Sequence, residues 1–400
     1  AIQNVGAATF GDGTVGITGI ITATNSLIGA IAGDTVSNSG ITALSNGNYV
    51  VGSSNWDNGA IQNVGAATFA NGLTGISGII TATNSLLGSS VNDFVSDWGM
   101  TALTNGNYVV RSGSWANGAI LSVGAVTWGN GNTGIIGAIS AANSLIGSTA
   151  GDAVGGGFGV VTALSNGNYV VGSPNWSNGG VLFTGAATWG NGATGISGTI
   201  NAANSLIGTG INDFVSSSGI TALNNGNYVV GSANWSNGAL LNAGAATWGN
   251  GSTGIIGTIS GINSLIGSAA GDAVSRGGIT ALTPSNMYTS TGNYVVSSPN
   301  WSNGTIASVG AATWGNGDTG ISGIISSTNS LTGSTAFDRV SSAGITPLND
   351  RLSFMSHAFK RTGNYVVSST NWNNGGNANV GAATWGDGNI GITGIVSTTN

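Results

Sequence analysis

Twelve aspartates, one histidine, one lysine and five arginines are all that the 400-residue chain offers for acid, base or charge chemistry; glutamate and cysteine are absent. Without cysteine there is no thiol nucleophile, no disulfide and no thiolate-ligated metal. General acid–base or nucleophilic catalysis needs two or three titratable groups held against one another, and His357 has no second histidine to work with. The expectation is a protein that is not an enzyme, with no catalytic residues, no metal and no cofactor. Six of the acids recur instead: Asp34, Asp93, Asp152, Asp213, Asp272 and Asp338 each follow the phrase Asn-Ser-Leu within ten residues. A catalytic carboxylate has no reason to be written six times. A short carboxylate in a Gly-rich turn accepts backbone N–H bonds, and a structural turn is the role expected of this series.

Two other groups of residues could carry recognition. Trp56, Trp115, Trp176, Trp235, Trp301 and Trp372 recur once per period; exposed, such rings are stacking platforms for sugars, and buried, they are the packing of each unit. They are candidate ligand-stacking residues. The second group is an insertion, Asn349 to Thr362, that holds Arg351, Phe354, His357, Lys360 and Arg361, three of the six cations among them. A shorter insertion, Thr283 to Thr291 with Tyr288, interrupts the same loop of the preceding repeat. Binding residues tend to ride on loops held by a rigid scaffold, so Arg351, Phe354, His357, Lys360, Arg361 and Tyr288 form a candidate contact loop.

The elements that must position these residues are set by a repeat. Tyrosines 49, 108, 169, 228, 294 and 365 lie in Asn-Tyr-Val-Val phrases at spacings of 59, 61, 59, 66 and 71. Phe10, Phe69, Trp128, Trp189, Trp248, Trp314 and Trp385 close a second phrase, Gly-Ala-Ala-Thr-Trp with small variations, that lengthens in step. Short β-forming runs separated by Asn-Gly, Gly-Asn and Asp-Gly pairs predict hairpins, because those turns need positive φ. No window holds a sustained 3.6-residue apolar period, so no helix is expected. Four short strands per unit, in the order Ile-Thr-Ala-Leu, Asn-Tyr-Val-Val, Ala-Ala-Thr-Trp and Gly-Ile-Ser-Gly, make a blade. Such blades give an all-β fold, a β-propeller or open blade array. Three coils of about 20 residues per unit in a right-handed parallel β-helix are the alternative.

At these residues the chain resembles a known family. Leu145 to Gly155 (LIGSTAGDAVG), Val161 to Trp176 (VTALSNGNYVVGSPNW) and Gly185 to Trp189 (GAATW) are similar to the FG-GAP repeats of integrin-alpha-type β-propellers and of bacterial surface proteins. The resemblance implies blades and an aspartate-rich calcium loop before the Val-Val strand. The turns at that place, Ser45-Asn46-Gly47-Asn48 and Thr104-Asn105-Gly106-Asn107, carry no carboxylate, and calcium wants several hard oxygens, so the implied metal is not expected here.

The units expected are a half-blade at 1–40, blades at 41–99, 100–159, 160–218 and 219–278, a blade with the short insertion at 279–343, and a blade with the long insertion, cut at its end, at 344–400. A start at Ala1, without Met or a leader pattern, reads as a processed or excerpted segment. The half-blade's open strand edges suggest completion by another copy. Charged residues make up 4% of the chain and the net charge is -6, which leaves nothing to neutralise a run of phosphates; no nucleic-acid partner is expected. No apolar stretch reaches the length of a membrane span. The functional expectation is a secreted, extracellular or cell-surface repeat protein. It would form a structural or adhesive scaffold, a self-assembling, Gly-rich adhesin or filament whose main partner is itself. The alternative is a lectin-like propeller that binds surface glycans through the repeated Trp.

Overall fold

Runs of three to five β-branched, aromatic and small residues are too short for helices and are bounded by Gly and Asn, so strands and tight turns are what the local chemistry allows. The computed structural model describes residues 2–157, 159–282, 292–348 and 363–400; among them the regular elements are strands and there is no helix. The chain divides into two compact units. One comprises 1–163, 167–180 and 188–201, the other 164–166, 181–187 and 202–400.

The first unit holds two complete sheets. In one, Ile41–Ala43, Tyr49–Ser53, Ala66–Ala70 and Ser85–Leu87 are successive antiparallel neighbours. The fifth strand, Gly137–Ala138, comes from the following repeat and lies parallel to Ser85–Leu87. The next sheet repeats the plan with Met100–Ala102, Tyr108–Ser112, Ala125–Gly129, Ser144–Ile146 and Gly198–Thr199. A three-stranded sheet joins Ala7–Thr9, Ser26–Ile28 and Gly78–Ile79. The second unit has the same two complete sheets, the first from Ile220–Ala222 to Gly323–Ile324 and the second from Ile279–Ala281 to Gly394–Ile395. A three-stranded sheet of Ile345–Pro347, Tyr365–Ser369 and Ala382–Gly386 completes it.

This arrangement corrects the blade order expected from the sequence. The fourth strand of each repeat is Ser-Leu-Ile, and the Gly-Ile pair that was assigned to that place reaches back to close the preceding sheet. An Asn box breaks what reads as one long extended stretch. Asn84 Oδ1 accepts the Thr81 N–H at 2.9 Å while its Nδ2 donates to Ile79 O at 2.9 Å, turning the chain between Gly78–Ile79 and Ser85–Leu87. Asn143 and Asn329 do the same in their repeats. Equivalent strands of successive repeats do not pair with one another in either unit, unlike the coils of a parallel β-helix.

In the complete sheets burial runs almost continuously along the Tyr-Val-Val and Ala-Ala-Thr strands because both faces of those sheets are covered. Val50 packs with Leu86, Val95 and Tyr108 on one face, whereas its neighbour Val51 packs with Leu27, Val64 and Trp56 on the other. In the second unit Val229 and Leu265 share a core with Tyr294, Val296 and Trp301. Each fully buried Val or Leu stabilises by about 1.5–3 kcal/mol, so the Tyr-Val-Val strand is the densest source of stability per residue. Tyr108, Tyr228 and Tyr294 lie directly across from Gly129, Gly249 and Gly315. A Cβ at any of these glycines would sit 2.2 Å from the tyrosine ring, which is why glycine follows the Trp in that phrase.

Candidate functional site

The recurring aspartates are buried, and each carboxylate is fully engaged. In Asp34, Asp93, Asp152, Asp213, Asp272 and Asp338, Oδ2 accepts the backbone N–H groups three and four residues earlier at 2.6 to 2.9 Å. Oδ1 accepts the N–H of the residue after the Trp of the next repeat at 2.9 to 3.0 Å, from Asp57, Ala116, Ser177, Ser236, Ser302 and Asn373 in turn. Each aspartate is therefore a latch between its own loop and the following repeat. Burial pushes the carboxyls of Asp93 and Asp152 above the usual range, and the N–H bonds oppose that rise.

Trp56, Trp115, Trp176, Trp235, Trp301 and Trp372 are 2 to 8% exposed. The structure therefore corrects their reading as stacking platforms: a buried ring has no face to offer a sugar, and these six indoles are core. Sequence alone does not separate the two roles, since both need one Trp per period. The other aromatic series lies nearer the surface. Trp128, Trp248 and Trp314 donate their Nε1–H groups to Gly192, Gly317 and Gly388 of the next repeat at 2.9 to 3.1 Å. Beside Trp128, a hollow of about 180 Å³ is lined by Ile135, Asn143 and Gly195, below the roughly 300–1,000 Å³ of ordinary ligand pockets.

The candidate contact loop residues Tyr288, Arg351, Phe354, His357, Lys360 and Arg361 lie outside the described residues. Among the described residues no group of three or more His, Asp or Glu could hold a metal ion.

One charged site escaped the sequence reading. Arg111 occupies the strand position held by Gly52, Gly231 and Ser297 in other repeats, where a Cβ at Gly52 would already lie 2.9 Å from Ser39. The guanidinium of Arg111 is held by backbone later in the chain, where the stretch from Asp152 to Tyr169 is two residues longer than that from Asp93 to Tyr108. Its Nε donates to Gly155 O at 2.8 Å and its Nη2 to Gly159 O at 2.5 Å. Nearby, Asp97 accepts the Gly113 N–H at 3.0 Å and the Ser114 hydroxyl at 2.6 Å. Burial pushes the Asp97 carboxyl up to about 6 against those bonds. The legible signal was the spacing of 61 between Tyr108 and Tyr169.

The family model described as "Repeat of unknown function (DUF5650)" matches residues 1–38, 43–97, 102–156, 163–217, 222–276, 288–342 and 360–400. The chain belongs to this family. Each internal DUF5650 match contains one Tyr-Val-Val strand, one Ala-Ala-Thr strand, one Ser-Leu strand and one aspartate latch, so the recurring unit is defined by the residues that join sheet to sheet. No curated protein sequence matches the chain.

Proposed function

We propose that this DUF5650 protein is a non-enzymatic scaffold, structural or adhesive and extracellular, whose repeats act as blades of a propeller or open array akin to FG-GAP repeats. The observation that carries the reading is the use to which recurring side chains are put. In all six copies the aspartate spends both oxygens on backbone N–H groups and the Trp is core. Repetition here serves cohesion. A paucity of Lys and Arg leaves few tryptic sites, and a surface of Asn, Ser and Thr is indifferent to salt, both suited to exposure outside a cell. No described helix is long and apolar enough to cross a membrane.

The lectin reading loses support with the burial of its stacking residues; what favours it is the hollow beside Trp128 and the half-exposed rings of Trp98 and Trp385. A glycan array probed with the purified chain tests the choice. The scaffold reading expects no saturable glycan binding; saturable binding that disappears on Trp128→Ala replaces it with the lectin.

A further inference from the structure

Each closing strand, such as Gly78–Ile79, Gly137–Ala138 or Gly323–Ile324, pairs with a Ser-Leu strand on one side and with no strand on the other among the described residues. A sheet edge with free N–H and C=O groups accepts a strand from another molecule. The composition of these edges invites it. Ile79, Ile136 and Ile324 are 48%, 55% and 55% exposed, and the segments 76–84, 135–143 and 321–329 hold neither a charge nor a proline, the usual means of blunting an edge. We infer that Asn84, Asn143 and Asn329 each stand in for a residue of an added strand and so close these outer edges to pairing with a second copy of the chain. The inference is separate from the scaffold reading, because it concerns only which edges stay shut, whatever the protein's role.

The register shows which backbone groups face outward. Ala138 lies opposite Leu87 in the parallel pairing, and the Ile139 N–H donates to Leu87 O at 3.0 Å. Successive residues of a strand turn their backbone groups to opposite edges, so Gly137 and Ile139 face the sheet while Ala138 and Ser140 face away from it. In a parallel pair, one residue of the added strand donates its N–H to an outward carbonyl and accepts the outward N–H two residues further on. Asn143 does both with a single carboxamide: its Nδ2 donates to Ala138 O and its Oδ1 accepts the Ser140 N–H, each at 2.9 Å. Asn84 treats Ile79 O and the Thr81 N–H in the same way at 2.9 Å, and Asn329 treats Ile324 O and the Ser326 N–H alike at 2.9 Å. Asn263 repeats the pattern on Thr258 O and the Ser260 N–H at 3.0 and 2.9 Å. Only a side-chain amide carries the donor and the acceptor of a peptide group together; an aspartate would accept the N–H and repel the carbonyl. The box that turns the chain therefore also occupies the two groups through which a further strand would add.

The test uses the 400-residue chain and the single change Asn143→Ala, which leaves the other boxes in place, followed by sedimentation velocity over a concentration series with Trp fluorescence as the check of folding. The variant should associate at a concentration at least tenfold below any at which the parent does. Adding Ala138→Lys, which puts a charge on the opened edge, should restore the parent's behaviour. Adding Ala119→Lys instead, the same charge in the exposed turn between Asn117 and Ile120, should not. Asn329→Ala with Ile324→Lys or Thr305→Lys repeats the comparison in the second unit. Hydrogen exchange of the parent adds a measurement that needs no variant: the amides of Ser140 and Ser326, although they face away from the sheet, should be protected at least tenfold relative to that of Ala138. A folded Asn143→Ala chain that associates no more than the parent, equal rescue by the two lysines, or Ser140 and Ser326 amides that exchange as fast as Ala138 overturns the inference.

Discussion

Removing one aspartate latch should damage two repeats at once. In Asp272→Ala the N–H groups of Ser268, Ala269 and Ser302, now held at 2.8, 2.8 and 2.9 Å, lose their acceptor. A hydrogen bond to a charged acceptor contributes about 1.5–3 kcal/mol. Ser268 is exposed, so water recovers its N–H, and the remaining two bonds put the loss at roughly 3–6 kcal/mol. Asp272→Asn should cost nearly as much, since one oxygen becomes an amide that faces N–H donors. Urea denaturation followed by Trp fluorescence measures the loss, and hydrogen exchange locates it. The amide of Ser302, thirty residues away in the next repeat, should lose protection together with those of Ser268 and Ala269. A cost below about 1 kcal/mol, or a Ser302 amide that exchanges as before, refutes the latch.

Three further outcomes follow from the packing. The folded state holds the Asp97 proton up to about pH 6, so between about pH 4 and 6 it binds more protons than the unfolded chain, and its contribution to stability should fall as pH rises through that window by at most about 3 kcal/mol; in Asp97→Asn the urea midpoint should fall less steeply there. Burial raises Tyr108 and Tyr365 to about 12 and Tyr169, Tyr228 and Tyr294 higher still. Stability should therefore be lost as pH rises above the ordinary tyrosine value of about 10, and phenolate absorbance at these five should appear only with unfolding. Gly249→Ala should cost about 1–3 kcal/mol by overpacking against the Tyr228 ring, and in a Tyr228→Leu background that cost should vanish in a double-mutant cycle measured by urea denaturation.

Much of this architecture is legible in the residues because the repeat fixes where strands and turns fall. Asn-Gly pairs mark the hairpins, and the acid at a constant place after Asn-Ser-Leu marks the turn at Asp34 and its copies. Strand partnership across repeats was not legible. Gly78–Ile79 and Gly137–Ala138 are two residues long, with side chains that fit any sheet, and only the box at Asn84 and Asn143 decides that they turn away from their own repeat. Burial of the Trp56 series also depends on that partnership, because Trp56 lies in a core with Leu27 and Val36 of the preceding repeat. Arg111 stands where other repeats have Gly or Ser, and Asp97 where they have Asn38, Gly156, Ser217, Arg276 and Ser342, so no repeat pattern pairs the two and the only trace is a two-residue lengthening of the chain elsewhere.

The central claim is that each repeat closes the sheet before it. Native-state hydrogen exchange tests this at four amides: Ile139, Ile200, Ile325 and Val396, which donate to Leu87, Ile146, Ile266 and Thr332 of the preceding repeat at 2.9 to 3.2 Å. The account predicts protection of these four comparable to that of the Tyr-Val-Val strands. Exchange as fast as that of the exposed turns beside them would contradict it.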